Sequence, residues 1–234
     1  MKEEFRRLQS TKERHIAIDG DSSSGKTTVG KILSRKLSYT FIDSGLFYRA
    51  VTALILRKNA QEKSEQWIEI ADSVSIILCN DSIYIDNVKI NKRELYMREV
   101  DELVSPVSTI KEIRDIITKD LRENSEGKNV VMSGRDIGTV VLKDAFLKIY
   151  LTANIEVRAS RRFNELTAKG VKITYNEVLE NLKKRDMIDS SRVYAPLSIA
   201  RDAFVIDTTE MNVDDVVTKI ILFLKGKEYA VRAA

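Results

Sequence analysis

Histidine and cysteine each occur once in the 234 residues of this chain, and proline twice. A single cysteine, Cys79, allows no intrachain disulfide, and a lone thiol reads as a small buried apolar residue. There is no thiol framework, and the charged segment Met1 to Arg14 lacks the apolar stretch of a secretory signal, so the expected location is the cytoplasm. No Cys/His group has zinc spacing, and His15 has no G-x-S-x-G motif with which to build a triad, so it reads as structural. No run is long and apolar enough to cross a membrane. Glycine is also sparse, nine in all, so no flexible linker divides a chain that fits one α/β domain with a small insert. Charge of one sign is scarce too. The 39 basic and 35 acidic residues leave only +4, too little by itself to mark a nucleic-acid binder.

Against these absences stands one complete motif. Gly20-Asp21-Ser22-Ser23-Ser24-Gly25-Lys26-Thr27 is a P-loop, continued by Thr28. Ile16 to Asp19 precede it as a short buried strand, and Val29, Ile32, Leu33 and Leu37 follow on one face of a helix. That strand–loop–helix setting is what the motif requires, because the glycines let successive N–H groups converge at the positive end of the helix dipole. Lys26 would reach the β- and γ-phosphates and Thr27 would hold Mg²⁺. The plain alternative is a Ser/Gly-rich turn capping a helix.

The remaining pattern alternates strands and helices. Strands are expected at Tyr39–Ile42, Val130–Ser133, Leu147–Leu151 and Phe204–Asp207, with a helix over 46–58. Val74–Leu78, Ser82–Asp86 and Val88–Ile90 alternate apolar and polar residues around the turn signals Asn80-Asp81 and Asp86-Asn87, an inserted antiparallel meander. Two helices follow, the second expected to open with Ser105 as N-cap and Pro106 at its first position. Asn154 caps a helix ending at Gly170, Thr174 and Glu177 form a capping box, and Asn212 caps a last amphipathic helix. Five short strands between helices imply a parallel sheet covered on both faces, with ligands at the strands' carboxyl ends. Three segments stand there: the P-loop, Asp43-Ser44-Gly45-Leu46-Phe47-Tyr48-Arg49, and Ser133-Gly134-Arg135-Asp136-Ile137-Gly138-Thr139. Arg185, Asp189 and Arg192 share one helical face or a closing loop, and Arg158, Arg161 and Arg162 share another. A solvated face is the ordinary reading of such arginines, but a polyphosphate needs cationic cover that arginine's planar fork supplies.

From Ile16 to Leu224 the chain resembles bacterial cytidylate (CMP/dCMP) kinases, a family of P-loop nucleoside monophosphate kinases. The resemblance rests on the P-loop with its strand, Asp43-Ser44-Gly45 with Tyr48-Arg49, Gly134-Arg135-Asp136-Ile137-Gly138-Thr139-Val140-Val141, and Lys184-Arg185-Asp186 running to Asp189, Arg192 and Ala195-Pro196-Leu197. It implies a P-loop kinase core (15–225) with a five-stranded parallel sheet flanked by helices. A small antiparallel β insert belongs to the nucleotide-monophosphate-binding region, about 64–125, and a helical lid covers about 154–192. A basic lead-in (1–14) and a tail (226–234) flank the core. It implies transfer of the γ-phosphoryl of ATP to CMP or dCMP with Mg²⁺, in pyrimidine metabolism, by a monomer without nucleic-acid or membrane partners. Ser105, Arg114 and Asp136 would read the cytosine edge, and Ser44, Arg185 and Asp189 would contact the sugar. Arg49 and Arg135, with Tyr48, would clamp the acceptor phosphate, and Arg192 with Arg158 and Arg162 of the lid would close on the transferring group. Taken alone, Asp136 could cap a turn, Ser105 could be only an N-cap and Arg114 could face solvent.

Two positions depart from the family. Ser133 stands where a carboxylate is usual, so slower turnover or weaker metal affinity is expected. Asp21 replaces the usual proline and is expected to point away to solvent, since a carboxylate beside phosphates is unfavourable. A regulatory GTPase switch is disfavoured because no aspartate has glycine three residues on, and Asn91-Lys92-Arg93-Glu94 only approaches a guanine-reading motif. A kinase of another acceptor, or an inactive nucleotide or RNA binder, is opposed by the cytosine-reading trio and by intact Lys26 and Thr27.

Overall fold

The structure, a computed structural model, describes residues 13–60, 64–79 and 82–233, the last six of these by backbone only. Most of the basic lead-in and the Asn80-Asp81 turn signal lie outside the described residues. In chain order the elements are β1 (Ile16–Gly20), α1 (Lys26–Leu37), β2 (Thr40–Asp43), α2 (Ser44–Arg57), α3 (Ser64–Asp72), β3 (Ile76–Cys79), β4 (Ser82–Ile85) and β5 (Val88–Lys89). After a short 3₁₀ turn at Glu94–Tyr96 come α4 (Arg98–Val107), α5 (Lys111–Glu123), β6 (Val130–Ser133), a π turn at Ile137–Val141, β7 (Leu147–Thr152), α6 (Ile155–Ala168), α7 (Tyr175–Ser191), β8 (Phe204–Asp207) and α8 (Val213–Ala233).

Five strands pair in the order β2-β6-β1-β7-β8, every pair parallel. Alternate residues of these strands serve opposite layers. Ala17, Ile42, Val130 and Met132 join α2, α3, the small sheet, α4 and α5 in one apolar cluster. Ile16, Ile18, Val131, Ile149 and Ile206 join α1 and α8 in another. With both faces covered, the strands are near-continuous apolar runs, which is why they were readable. All five carboxyl ends therefore share one edge, where residues 20, 43, 133, 152 and 207 end their strands.

The meander β3-β4-β5 forms as expected, closed at Asp86-Asn87, where both residues take positive φ (49° and 65°) as a two-residue I′ hairpin requires. The helix α6 is capped by Asn154, whose side chain accepts from the Glu156 amide, and the Thr174–Glu177 capping box opens α7. These two helices carry a small apolar core of their own around Ala159, Val178 and Leu182.

Two expectations fail here, and one element was not foreseen. Ser105 is not an N-cap. It and Pro106 fall in the last turn of α4, and α5 begins at Lys111. Burial of Val104 and Val107 holds that turn, and the bonds from Ser108 N–H to the Val104 carbonyl (3.0 Å) and from Thr109 N–H to Pro106 (3.0 Å) continue it. Cys79 is exposed rather than buried, because it ends β3 on the outer side of the small sheet. The helix α3, with Trp67, Ile70 and Ala71 buried, carried no strong signal in the sequence.

Asp120 of α5 is a weak point in the insert. It is buried, and its Oδ2 has no hydrogen-bond partner among the described residues. Burial raises its pKa to about 6, against the lowering pull of the Ile76 amide. A carboxyl whose folded pKa exceeds its unfolded value binds more protons in the folded state between about pH 4 and 6, so its cost to stability is greatest above that window. Asp120→Asn is expected to raise Tm at pH 7.5 by about 2–4 °C and to flatten the gain in Tm on acidification from pH 7.5 to 5. Calorimetry of both proteins checks this, and an unchanged pH slope would locate that proton uptake elsewhere.

Candidate functional site

The carboxyl ends of the strands open into a cleft of about 760 Å³. Its floor is Ser22 to Thr28 of the P-loop. Gly20 begins the loop at φ +145° with Leu151 so close that a Cβ would lie 1.9 Å from that carbonyl oxygen, so only glycine fits. Gly25, at φ +97°, turns the chain into α1, whose first residue is Lys26. The Lys26 ammonium folds back to donate to the carbonyls of Gly20 (2.8 Å) and Asp21 (2.5 Å). Burial, and next Arg135, lower its pKa well below the ordinary lysine value. An entering polyphosphate would reverse that pressure by adding negative charge.

Asp21 does turn from the cleft, but not into solvent. It accepts from Thr152 Oγ1 (2.7 Å) and Tyr150 Oη (3.2 Å) on β7. Those two hydroxyls satisfy a carboxylate where proline would have none to offer. Gly20 and Asp21 thus shape the loop from behind.

Thr27 donates its hydroxyl to Asp43 Oδ2 (2.9 Å), while Asp43 Oδ1 accepts from the Gly45 amide at the start of α2. This hydroxyl and carboxylate lie side by side at the cleft wall, a hard-oxygen donor set of the kind Mg²⁺ takes together with phosphates and water. Ser133, the last residue of β6, is fully enclosed and in register with Asp43. Among the described residues no group of three carboxylate, His or Cys ligands forms a protein-only metal cage.

Arginines close the cleft from three directions. Arg135 spans it, donating from Nε to Asp189 Oδ2 (2.7 Å) on α7 and from Nη2 to Ser22 Oγ (2.9 Å) on the P-loop. Burial raises the Asp189 carboxyl, but Arg135, then Arg192 and Arg185, outweigh it and hold the group below the usual range. Arg185 has no carboxylate in salt-bridge range among the described residues; burial, followed by Arg135 and Arg49, lowers it to about 10. Arg49 donates to the Leu95 carbonyl (2.9 Å) and to Asp101 (2.5 Å), with its guanidinium over the Tyr96 ring (4.9 Å).

A deeper pocket lies beside them. Arg114 and Asp136 are both almost fully enclosed and meet at 2.5 Å, and Arg114 also donates to the Ser108 carbonyl (3.0 Å) and lies over Tyr48 (5.3 Å). Ser105 is buried in the same wall. Arg114 Nε and Arg192 Nη2 are buried donors without a partner among the described residues. The π turn that follows Asp136 is held by Asp19, which accepts from the amides of Ile137 and Gly138 (2.8 Å each). Burial raises Asp19 to about 6, against those two bonds.

Ser44, Tyr48, Arg49, Ser105, Arg114, Arg135, Asp136, Arg185, Asp189 and Arg192 all line the one cleft, as do Arg161 and Arg162. Arg158 does not. Its guanidinium is taken up by the carbonyls of Ala153 (2.9 Å) and Ser22 (3.1 Å) and by Asp186 (2.5 Å), so it ties the P-loop to α6 and α7. The three-and-four spacing on α6 is real, but Asp186 on α7 turns its first member inward. Asp43, Asp186, Ser108 and Thr208 also serve the site without a role foreseen for them. Asp43 carried a signal in its place at a strand end, and Asp186 in the Lys184-Arg185-Asp186 segment. His15 lies at the opposite end of β1, beside Glu13 (3.0 Å).

Residues 16–225 match the protein family described as Cytidylate kinase. Among curated relatives, a cytidylate kinase of Caldanaerobacter subterraneus subsp. tengcongensis is 46% identical over 206 residues, covering 88% of this chain and 92% of that protein. A cytidylate kinase of Alkaliphilus oremlandii is 43% identical, covering 90% and 97%. The crystal structure of an uncharacterized protein from Eubacterium ventriosum superposes with a TM-score of 0.52 at 14% identity, covering 91% of this chain and 99% of that one, a likeness of fold alone.

Proposed function

The chain belongs to the cytidylate kinase family, and on that premise we propose how its cleft moves the γ-phosphoryl of ATP to CMP or dCMP. The observation that carries the reading is the enclosed Asp136 beside the unpartnered donors Arg114 Nε and Arg192 Nη2. Cytosine presents one amino donor and two acceptors along its edge, the complement of a carboxylate flanked by guanidinium donors. Uracil presents a carbonyl where cytosine has the amine, and would set acceptor against acceptor at Asp136. Sites built on such buried polar groups discriminate strongly, because the wrong ligand leaves them unpaired.

The acceptor's phosphate oxygen is already anionic and attacks the γ-phosphorus without a strong general base; the β–γ bridging oxygen leaves with its electron pair as ADP. Catalysis is then positioning and charge neutralisation. In this reading Lys26 leaves the loop carbonyls for the β/γ-phosphates, and Arg49 and Arg135 converge on the acceptor phosphate. Arg185, Asp189 and Ser44 hold the sugar, while Arg192 and Arg162 meet the transferring group. Arg161, bonded to Thr208 (3.0 Å to its Oγ1), borders the donor side. Thr27, backed by Asp43, is the residue set that would hold Mg²⁺, which when bound neutralises phosphate charge. The core, the insert at about 64–125 and the lid at about 154–192 act as three bodies around this cleft, in a cytoplasmic monomer with no nucleic-acid or membrane partner. No helix among the described residues is long and apolar enough to cross a membrane.

The test is ADP release from Mg-ATP with CMP, dCMP, UMP, AMP and GMP offered separately. Strong turnover with CMP and dCMP and little with UMP is expected. Equal or better turnover with UMP would remove Asp136 from base reading. The enclosed Ser133 gives a second test. Ser133→Asp adds a carboxylate in register with Asp43, and half-maximal rate is expected at a Mg²⁺ concentration lower by about threefold or more. An unchanged Mg²⁺ titration would show that Thr27 and the nucleotide suffice.

A further inference from the structure

Arg49 and Arg162 come from different parts of the molecule, α2 of the core and α6 of the lid, yet they share one carboxylate. Asp101, on α4 of the insert, takes the Arg49 guanidinium on Oδ1 (2.5 Å) and lies 3.5 Å from Arg162 Nη2 with Oδ2. The first contact is a charge-assisted hydrogen bond; the second is an ion pair just beyond hydrogen-bond range. Arg162 also donates to Glu165 of its own helix (2.9 Å), so it is divided between a partner on the lid and a partner on the insert. Arg49 is fixed on further sides by the Leu95 carbonyl and the Tyr96 ring. Asp101 itself is about one-third exposed and has no other hydrogen bond among the described residues beyond its helix.

We propose that Asp101 is a positioning residue that couples acceptor binding to lid closure, passing from Arg49 to Arg162. The proposal rests on the reading of Arg49 as an acceptor-phosphate ligand. As the insert settles on the acceptor held by Arg49, α4 moves towards the lid, and a shift of a few tenths of an ångström brings Asp101 Oδ2 within hydrogen-bond range of Arg162. Arg162 then passes from Glu165 to Asp101 and is held over the donor phosphates. A carboxylate accepts from both guanidinium groups at once, so neither bond displaces the other. The acceptor thereby tightens the donor, and by linkage the donor tightens the acceptor by the same factor. Lys169 of the lid over the Tyr96 ring (5.8 Å), and Tyr194 Oη, just past the lid, to Asp115 of the insert (2.7 Å), do not involve Asp101 and remain when it is changed.

The experiment measures the Kd of a non-hydrolysable ATP analogue with and without saturating CMP, in the wild type and in Asp101→Asn and Asp101→Glu, after wild-type turnover of CMP has been established. In the wild type CMP is expected to lower that Kd about fivefold or more. Asp101→Asn is expected to bind the analogue alone within about twofold of wild type but to lose most of the CMP effect, and Asp101→Glu to restore it in part. Undiminished coupling in Asp101→Asn, or an equal loss of analogue affinity with and without CMP, overturns the proposal. A wild type that does not turn over CMP overturns the functional reading instead, so the two failures are distinct.

Discussion

Arg135→Ala is expected to lower kcat for CMP by about a thousandfold, the scale of losing an arginine that neutralises phosphate charge during phosphoryl transfer. Arg135 bonds both the P-loop, at the Ser22 hydroxyl, and α7, at Asp189. Its removal therefore takes a positive charge from the phosphoryl path and also releases Asp189, leaving that carboxylate with Arg192 at 3.5 Å. A partly enclosed pair broken from one side costs stability as well, on the order of 3 kcal/mol or less. Arg135→Lys separates the two effects, because it keeps a charge but cannot make both bonds. It should fold like the wild type while recovering only a small part of kcat. Steady-state ADP release and Tm for both variants check this. A kcat within about tenfold of wild type for Arg135→Ala would show that the guanidinium only braces the cleft.

Asp136→Asn carries the other large effect, on specificity. Asp136 Oδ2 faces Arg114 Nη2, which can only donate, so the asparagine carbonyl must take that side. Its amide nitrogen then occupies the position of Oδ1 and presents a donor where the wild type presents an acceptor. Cytosine's amine meets a donor and loses, while uracil's carbonyl meets one and gains. The ratio of kcat/KM for CMP over UMP is expected to fall by at least about a hundredfold. The side chain keeps its shape, so a modest drop in Tm, from an Arg114 charge now buried against a neutral partner, should accompany it. Competition between CMP and UMP at equal concentration reads the ratio directly. A ratio unchanged by the substitution would mean that Asp136 only anchors Arg114.

Both predictions concern residues that were legible along the chain as segments, but not as a geometry. The order Gly134-Arg135-Asp136 stood at the end of a readable strand, and Arg114 lay on a readable amphipathic helix. That Arg114 crosses to Asp136, and that Arg135 crosses to Asp189, follows from the stacking of α5 and α7 over the sheet edge. The errors have the same origin. Ser105-Pro106 is a good helix start by local chemistry, yet burial of Val104 and Val107 draws both residues into the end of α4. Arg158 shares a helical face with Arg161 and Arg162, yet Asp186, 28 residues on, turns it away from the cleft. Asp21 was expected in water, but Tyr150 and Thr152, more than a hundred residues later, hold it against β7.

The sequence alone determined the features whose physics is local. A P-loop needs its glycines, lysine and threonine within eight residues. Strands buried on both faces are apolar runs, and caps are set by side chains two or three residues from the amides they satisfy. The tertiary structure decided the partners of charges. Each guanidinium can reach several carboxylates or carbonyls, the choice among them depends on which elements the sheet order makes adjacent, and the pairs Thr27–Asp43, Arg114–Asp136, Arg135–Asp189 and Asp101–Arg162 exist only because that order brings their elements to one edge.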